Sequence, residues 1–190
     1  GGAIKNAQEL IHSNNFLVIN GDTFIELNYS TFVKIFFAKD AVALLALNQL
    51  CKNSDVQFSA IGALEKDVSL IPGQLIPWEE GSEIRELNRF DVGIMPLPDT
   101  PWERGKCGFK LIQYMACGLP IIASPVGMNK EIVDHGINGF LAENITEWIK
   151  YIELLKDDSE LRGRMGKAGR EKVEKYYSLK STGPRLVKLL

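Results

Sequence analysis

Two ammonium groups, two glycines and an amide lie within residues 105–113: Gly105, Lys106, Gly108, Lys110 and Gln113. Lys106 and Lys110 flank a point where a polar stretch gives way to helical spacing. Unpaired backbone N–H groups and the helix dipole already favour an anion at such a point. Lysines, glycines and a helix start together suggest a phosphate site. Gln113 follows Lys110 by three residues and therefore shares its side of the helix. A neutral amide there can hydrogen-bond a hydroxyl, for example on a ribose. The same pattern also describes an ordinary solvated surface, since short motifs carry false positives.

The surrounding elements must hold these groups in place. Phe109, Ile112, Met115 and Ala116 recur at helical spacing,. Cys117-Gly118 ends that helix, because glycine enters the left-handed cap conformation without strain, and Pro120 blocks continuation. Ile121-Ile122-Ala123 is a short apolar run, as in a strand covered on both faces. Ser124-Pro125-Val126-Gly127 leaves its carboxyl end, the edge where open α/β sheets bind ligands.

The tail Tyr114-Met-Ala-Cys-Gly-Leu-Pro-Ile-Ile-Ala-Ser124 resembles Ala-Met-Ala-x-Gly-x-Pro-Val-Val-Ala-Ser of family 4 glycosyltransferases. The likeness runs from about residue 41 to 190. It implies one half of a two-domain GT-B fold, the C-terminal half that binds the nucleotide sugar. The fold class it implies is α/β: a Rossmann-like parallel sheet with helices on both faces. The family's Glu-x7-Glu departs here. Its second glutamate, which holds the ribose, falls on Gln113, and its first, which touches the donor sugar, falls on Gly105. Glu103 is the nearby carboxylate that would substitute. A branch of the family carries Phe-Lys-x-x-Gln-Tyr-Met-Ala, as Phe109–Ala116 does. The resemblance implies that Lys106 and Lys110, aided by Arg104 and the amides near Gly108, steady a departing diphosphate. It places the nucleobase near Trp78, which is otherwise read as a core tryptophan. The nucleotide sugar is the substrate, and neither cofactor nor metal is expected. The acceptor domain is missing, so no catalytic residue is assigned and binding without efficient turnover is expected. The expected activity is that of a hexosyltransferase of polysaccharide biosynthesis.

The opening, Gly1-Gly-Ala-Ile-Lys-Asn-Ala7 and Asn20-Gly-Asp-Thr-Phe24, resembles a fragment of sugar-1-phosphate nucleotidyltransferases. In that family the residue at Asp22 holds magnesium, a fitting role for a carboxylate at a strand's end. Its other reading is a turn residue. Residues 3–12 show a short helical pattern and Phe16–Ile19 a buried strand, which would supply the first strand of a single domain spanning 1–190. The join falls within 36–47. A helix over much of 30–52 competes with a strand at 41–47, and alanine and leucine favour the helix.

Further strands are expected at 56–61, followed by Gly62, where backbone often approaches a ligand, and at 74–78 and 91–96. Ser82 is the expected N-cap of a helix at 83–89. Pro96–Pro101 stiffens the exit into the site loop. Helix 129–135 would end at His135, whose place suits the dipole, and Asn138–Leu141 would follow. Helices are expected at 145–156 and 158–176. The first buries Trp148, Ile149, Ile152 and Leu155, and the second is charged, with Glu171 four residues before Lys175. The last segment is broken at Gly183-Pro184. Its Leu186, Val187, Leu189 and Leu190 would lack cover unless a separate acceptor-binding domain or self-association supplies it.

The 190 residues suit one α/β domain, with 45% hydrophobic residues and a net charge of -2,. Such a balance offers no broad basic face to nucleic acid. No apolar run reaches the roughly 18 residues of a membrane span, and Gly1-Gly2-Ala3 lacks a signal-peptide start. Cys51, Cys107 and Cys117 lack metal spacing and read as reduced cytoplasmic thiols. No histidine is near Cys107 in sequence, which argues against a nucleophile.

Overall fold

The computed structural model describes residues 17–19, 23–25, 41–53, 56–62 and 73–187. The chain divides into two compact units, residues 1–39 and 40–190. In the first, β1 (Leu17–Ile19) pairs antiparallel with β2 (Thr23–Ile25), Val18 opposite Phe24. Thr23, expected in the turn, thus begins a strand. The expected helix at 3–12, Asp22 and residues 26–40 lie outside the described residues.

The second unit opens with α1 (Ala41–Asn53). This overturns the strand at 41–47, because helical spacing lets Ala46, Leu47 and Leu50 enter one apolar core together. Next come β3 (Phe58–Ile61) and β4 (Gly73–Ile76), paired in parallel. A second parallel sheet has the order β5 (Gly93–Met95), β6 (Ile121–Ala123), β7 (Gly139–Leu141). Between these strands run α2 (Glu83–Leu87), α3 (Pro101–Arg104), α4 (Phe109–Ala116) and α5 (Asn129–Ile132). The chain then continues through α6 (Ile145–Asp157), α7 (Ser159–Tyr176) and α8 (Leu179–Val187).

β6 is the axis of the core. Its three residues are fully buried, and their alternation feeds two layers. Ile122 packs with α1, Phe140, Trp148, Leu155 and Met165 on one face. Ile121 and Ala123 pack with Leu111, Met115, Ile132 and Val173 on the other. This is the doubly covered parallel sheet expected of the Rossmann-like class.

Local chemistry sets the element ends. Asn144 caps α6 by accepting from the Glu147 amide at 3.0 Å, and Asp158 caps α7 by accepting from Leu161 at 2.7 Å,. Gly118, at φ +76°, closes α4: its amide donates to Met115 at 2.9 Å and that of Leu119 to Tyr114 at 3.1 Å,. Asn138 is buried; its amide donates to the Ile132 carbonyl at 3.0 Å and its oxygen accepts from the Asp134 amide at 2.9 Å. Next to it, a Cβ on Gly139 would collide with the Ile121 carbonyl.

Several ends differ from expectation. Ser82 does not cap α2; its hydroxyl donates to the Glu79 carbonyl at 2.9 Å and its backbone is already helical. α2 stops at Leu87 rather than residue 89. α5 stops at Ile132 because Val133 turns extended. α3 lies within the expected loop, with Pro101 in its first turn after an extended Thr100,. α8 runs through Gly183 and Pro184 instead of breaking there. On α7 the i,i+4 pairs are Glu160–Arg164, Lys167–Glu171 and Arg170–Glu174, while Lys175 stands over the Tyr176 ring.

Two glycines of α7 should respond oppositely to alanine. A Cβ on Gly166 would strike the Gly118 carbonyl, whereas Gly163 faces open space. Gly166→Ala is predicted to cost about 2 kcal/mol by overpacking. Gly163→Ala should gain about 0.5–1 kcal/mol from helix propensity. Urea unfolding of both variants reads the difference.

Candidate functional site at the start of helix α4

The rotation of α4 is set by Leu111 and Met115, both fully buried against β6 and α5. They lie four residues apart and define the inward stripe. Phe109, expected on that stripe, sits about 200° away from Leu111 by helical geometry and is 57% exposed. Gly108 precedes the helix in the left-handed region at φ +69°, and a Cβ there would run into the Ile132 side chain. The exit loop of β6 closes on the same place: a Cβ on Gly127 would lie 2.6 Å from the Arg104 carbonyl. Ser124 ties the exits of β5 and β6 together, its Oγ accepting from the Leu97 amide at 2.9 Å. Asn129 donates to the Ser124 carbonyl at 3.0 Å. The helix start is therefore fixed at the carboxyl edge of β5 and β6, where the opening N–H groups of α4 have no intrahelical acceptor.

The polar residues fall into separate arrangements. Lys110 Nζ donates to Glu83 Oε1 at 2.6 Å, and Gln113 Nε2 donates to Glu83 Oε2 at 3.0 Å. Lys110 and Gln113 do share one side. The Gln113 carbonyl oxygen is buried without a hydrogen-bond partner among the described residues. Lys106 Nζ lies 4.0 Å from Glu103 Oε1. Glu103 is turned inward, 4% exposed, and accepts from the Thr100 hydroxyl. Arg104 is exposed and held by Asp99 through two bonds of 2.6 and 2.9 Å.

Gly62 and Trp78 meet each other instead. Gly62 has φ +71°, donates to the Ile76 carbonyl at 2.9 Å, and a Cβ on it would lie 3.1 Å from Trp78 Cβ. Trp78 is 57% exposed, which rules out the core reading. His135 does not end a helix. Its Nδ1 accepts from the Leu141 amide at 3.1 Å, and its ring meets Phe140 and Tyr151 edge-on. Cys51, Cys107 and Cys117 are free thiols. Among the described residues no three His, Cys, Asp or Glu side chains are grouped to hold a metal, and no helix is long and apolar enough to cross a membrane.

Glu83 is the site residue that the sequence did not disclose. The Lys110 hydrogen bond holds its carboxyl below the usual carboxylate range against the opposing effect of burial, helped by the Lys110 charge and the Gln113 amide,. Tyr114, mostly buried beside them, has its phenol pushed up by desolvation and then by the Glu83 charge.

A parallel α/β sheet covered by helices on both faces, with a helix starting at the carboxyl edge of its strands, defines the class of fold. Residues 85–172 match the family model for Glycosyl transferases group 1, so this part of the chain is a group 1 glycosyltransferase domain. The chain is similar to N-acetyl-alpha-D-glucosaminyl L-malate synthase of Bacillus anthracis, 38% identical over 78 residues, covering 40% of this chain and 20% of that protein. Among solved structures it is similar to Anabaena HepE in complex with UDP, with a TM-score of 0.63 and 16% identity, covering 78% of this chain and 44% of that one. It is also similar to the C-terminal domain of the Francisella tularensis group 1 glycosyltransferase LpcC. There the TM-score is 0.55 and the identity 19%, covering 77% of this chain and 82% of that domain. The chain thus spans less than half the length of HepE and a fifth of the Bacillus protein. These structural neighbours are GT-B glycosyltransferases. They do not show the nucleotidyltransferase resemblance of residues 1–40.

The lowered Glu83 pKa fixes a sign. Its pairing contributes stability above the ordinary carboxylate value of about 4.3, and that contribution is lost as pH falls through the lowered folded-state value. Glu83→Gln should therefore flatten the stability–pH profile on the acid side while leaving its shape near neutrality unchanged. Urea unfolding at stepped pH checks this.

Proposed function

We propose that the second unit is the nucleotide-sugar-binding half of a hexosyltransferase, with the acceptor-binding half supplied by another domain. The observation that carries this reading is the Gln113 carbonyl oxygen, in the second turn of α4, buried and without a hydrogen-bond partner among the described residues. A buried acceptor without a donor is costly, and a ribose hydroxyl would satisfy it. In this reading the diphosphate sits against Lys106, Lys110 and the first α4 amides. Charge building on the leaving diphosphate is stabilised there by fixed cations and dipoles. Lys110 would divide its donors between Glu83 and phosphate, as an ammonium with three protons can. Arg104 would join by exchanging Asp99 for phosphate, and Glu103 would meet the sugar only if it turned outward. The exposed Trp78 ring beside Gly62 is the proposed base platform. No metal or cofactor is called for, because lysines and amides carry the charge.

HepE was solved with UDP, which makes a uridine nucleotide the first donor to try. The three free thiols support a reducing, cytoplasmic setting, and assembly of sugar polymers is the wider role proposed. Leu179 is 89% and Val187 73% exposed on α8, which supports a missing partner surface or self-association there.

Titration calorimetry with UDP tests the reading. Each charge-assisted contact is worth about 1.5–3 kcal/mol, so replacing both Lys106 and Lys110 by alanine should weaken binding by at least about tenfold. Gln113→Leu, which keeps the bulk and removes the acceptor, should weaken UDP more than it weakens inorganic diphosphate. Unchanged affinity in the double-lysine variant would show that the domain does not hold its donor at this helix.

A further inference from the structure

Gln113 carries a donor and an acceptor on one amide, and a half-turn of that amide exchanges them. Glu83 decides between the two. An ionised carboxylate only accepts hydrogen bonds, so the Gln113 Nε2 must face it, as it does at 3.0 Å. Lys110 keeps that carboxylate ionised. Its Nζ donates to Glu83 Oε1 at 2.6 Å, and this bond holds the Glu83 carboxyl below the usual carboxylate range. The three side chains thus form a relay in which each hydrogen bond fixes the next. α2 supplies the middle member and α4 both ends.

The consequence falls on the other side of the amide. With Nε2 committed to Glu83, Oε1 is turned away from α2, where it is buried and has no hydrogen-bond partner among the described residues. A glutamate at position 113 would also accept there, but it would set a second carboxylate against Glu83, and like charges at contact disfavour each other. The amide offers the acceptor without the second charge.

We propose that Glu83 is a positioning residue: it holds the Gln113 amide in one orientation, so that the site takes a ligand group that donates a hydrogen bond and rejects one that only accepts. This rests on the nucleotide-sugar reading, in which a ribose hydroxyl is the donor.

The probes are UDP and its 2′-deoxy-2′-fluoro and 3′-deoxy-3′-fluoro analogues, titrated calorimetrically into the full chain. Fluorine keeps nearly the size of the hydroxyl and cannot donate. At least one analogue should bind at least about tenfold more weakly than UDP, because a buried acceptor then loses its donor. In Glu83→Gln, Lys110 takes the oxygen of the introduced amide and its NH2 faces Gln113, which turns over. The preference for UDP should then shrink to about twofold or less. Gln113→Glu alone should weaken UDP, because two carboxylates face each other. Glu83→Gln combined with Gln113→Glu restores a donor facing an acceptor and should recover the preference. Loosened packing of α2 would weaken all three ligands alike, so their ratio reads orientation alone. The proposal is overturned if Glu83→Gln keeps the original ratio, or if the double variant fails to recover it. Equal binding of all three ligands by the unsubstituted chain also overturns it and leaves donor binding at this helix standing, whereas no UDP binding at all removes both.

Discussion

Burial of Leu111 and Met115 against β6 is the constraint on which the candidate site depends. A helix of eight residues has only one rotation that seats both side chains. That rotation presents Lys110 and Gln113 to α2, where Glu83 receives them. It also brings Gly108 onto Ile132, so the entering loop has no room for a side chain at that position. Apolar packing thus fixes the address of the polar groups, although it makes no contact with their charges.

Glu83 gives this helix start a mixed character. A carboxylate beside a cation neutralises it over short range and repels an incoming anion. It also locks the Lys110 and Gln113 side chains into known positions before any ligand arrives. Preorganisation of this kind lowers the entropy lost on binding. The carboxylates Asp99, Glu103 and Glu83 each engage one of the candidate cations or lie close to it. The charges of these cations are therefore partly neutralised by the chain's own acids.

The parts legible in the sequence are those governed by neighbours along the chain. Cys117-Gly118 showed the end of α4, the run 121–123 showed a strand buried on both faces, and the apolar spacing around Trp148 and Leu155 showed α6. The parts that were not legible rest on distant or competing effects. Glu83 lies 27 and 30 residues from its two partners, and no local spacing encodes that meeting. Apolar identity alone placed Phe109 on the inner stripe, but the choice of Leu111 as its centre is made by β6. Prolines at 96, 98 and 101 looked like a stiff loop, whereas one of them in a first turn is an ordinary way to begin a helix. Pro184 is the sixth of the nine residues of α8; it removes a single backbone donor, and the helix continues past it,.

The buried Asn138 has a chemical consequence for the lifetime of the molecule. Asn-Gly is the dipeptide most open to deamidation, because the glycine amide can attack the neighbouring side-chain carbonyl and close a five-membered imide. Here both ends of that reaction are restrained. The Asn138 amide is held by Ile132 and Asp134, and the glycine is drawn into an extended ladder beside Ile121. While folded, this bond is shielded from the ageing reaction; each excursion to the unfolded state exposes it. A carboxylate formed there would have to be buried on refolding, so damage accumulated while unfolded would become a permanent loss of stability.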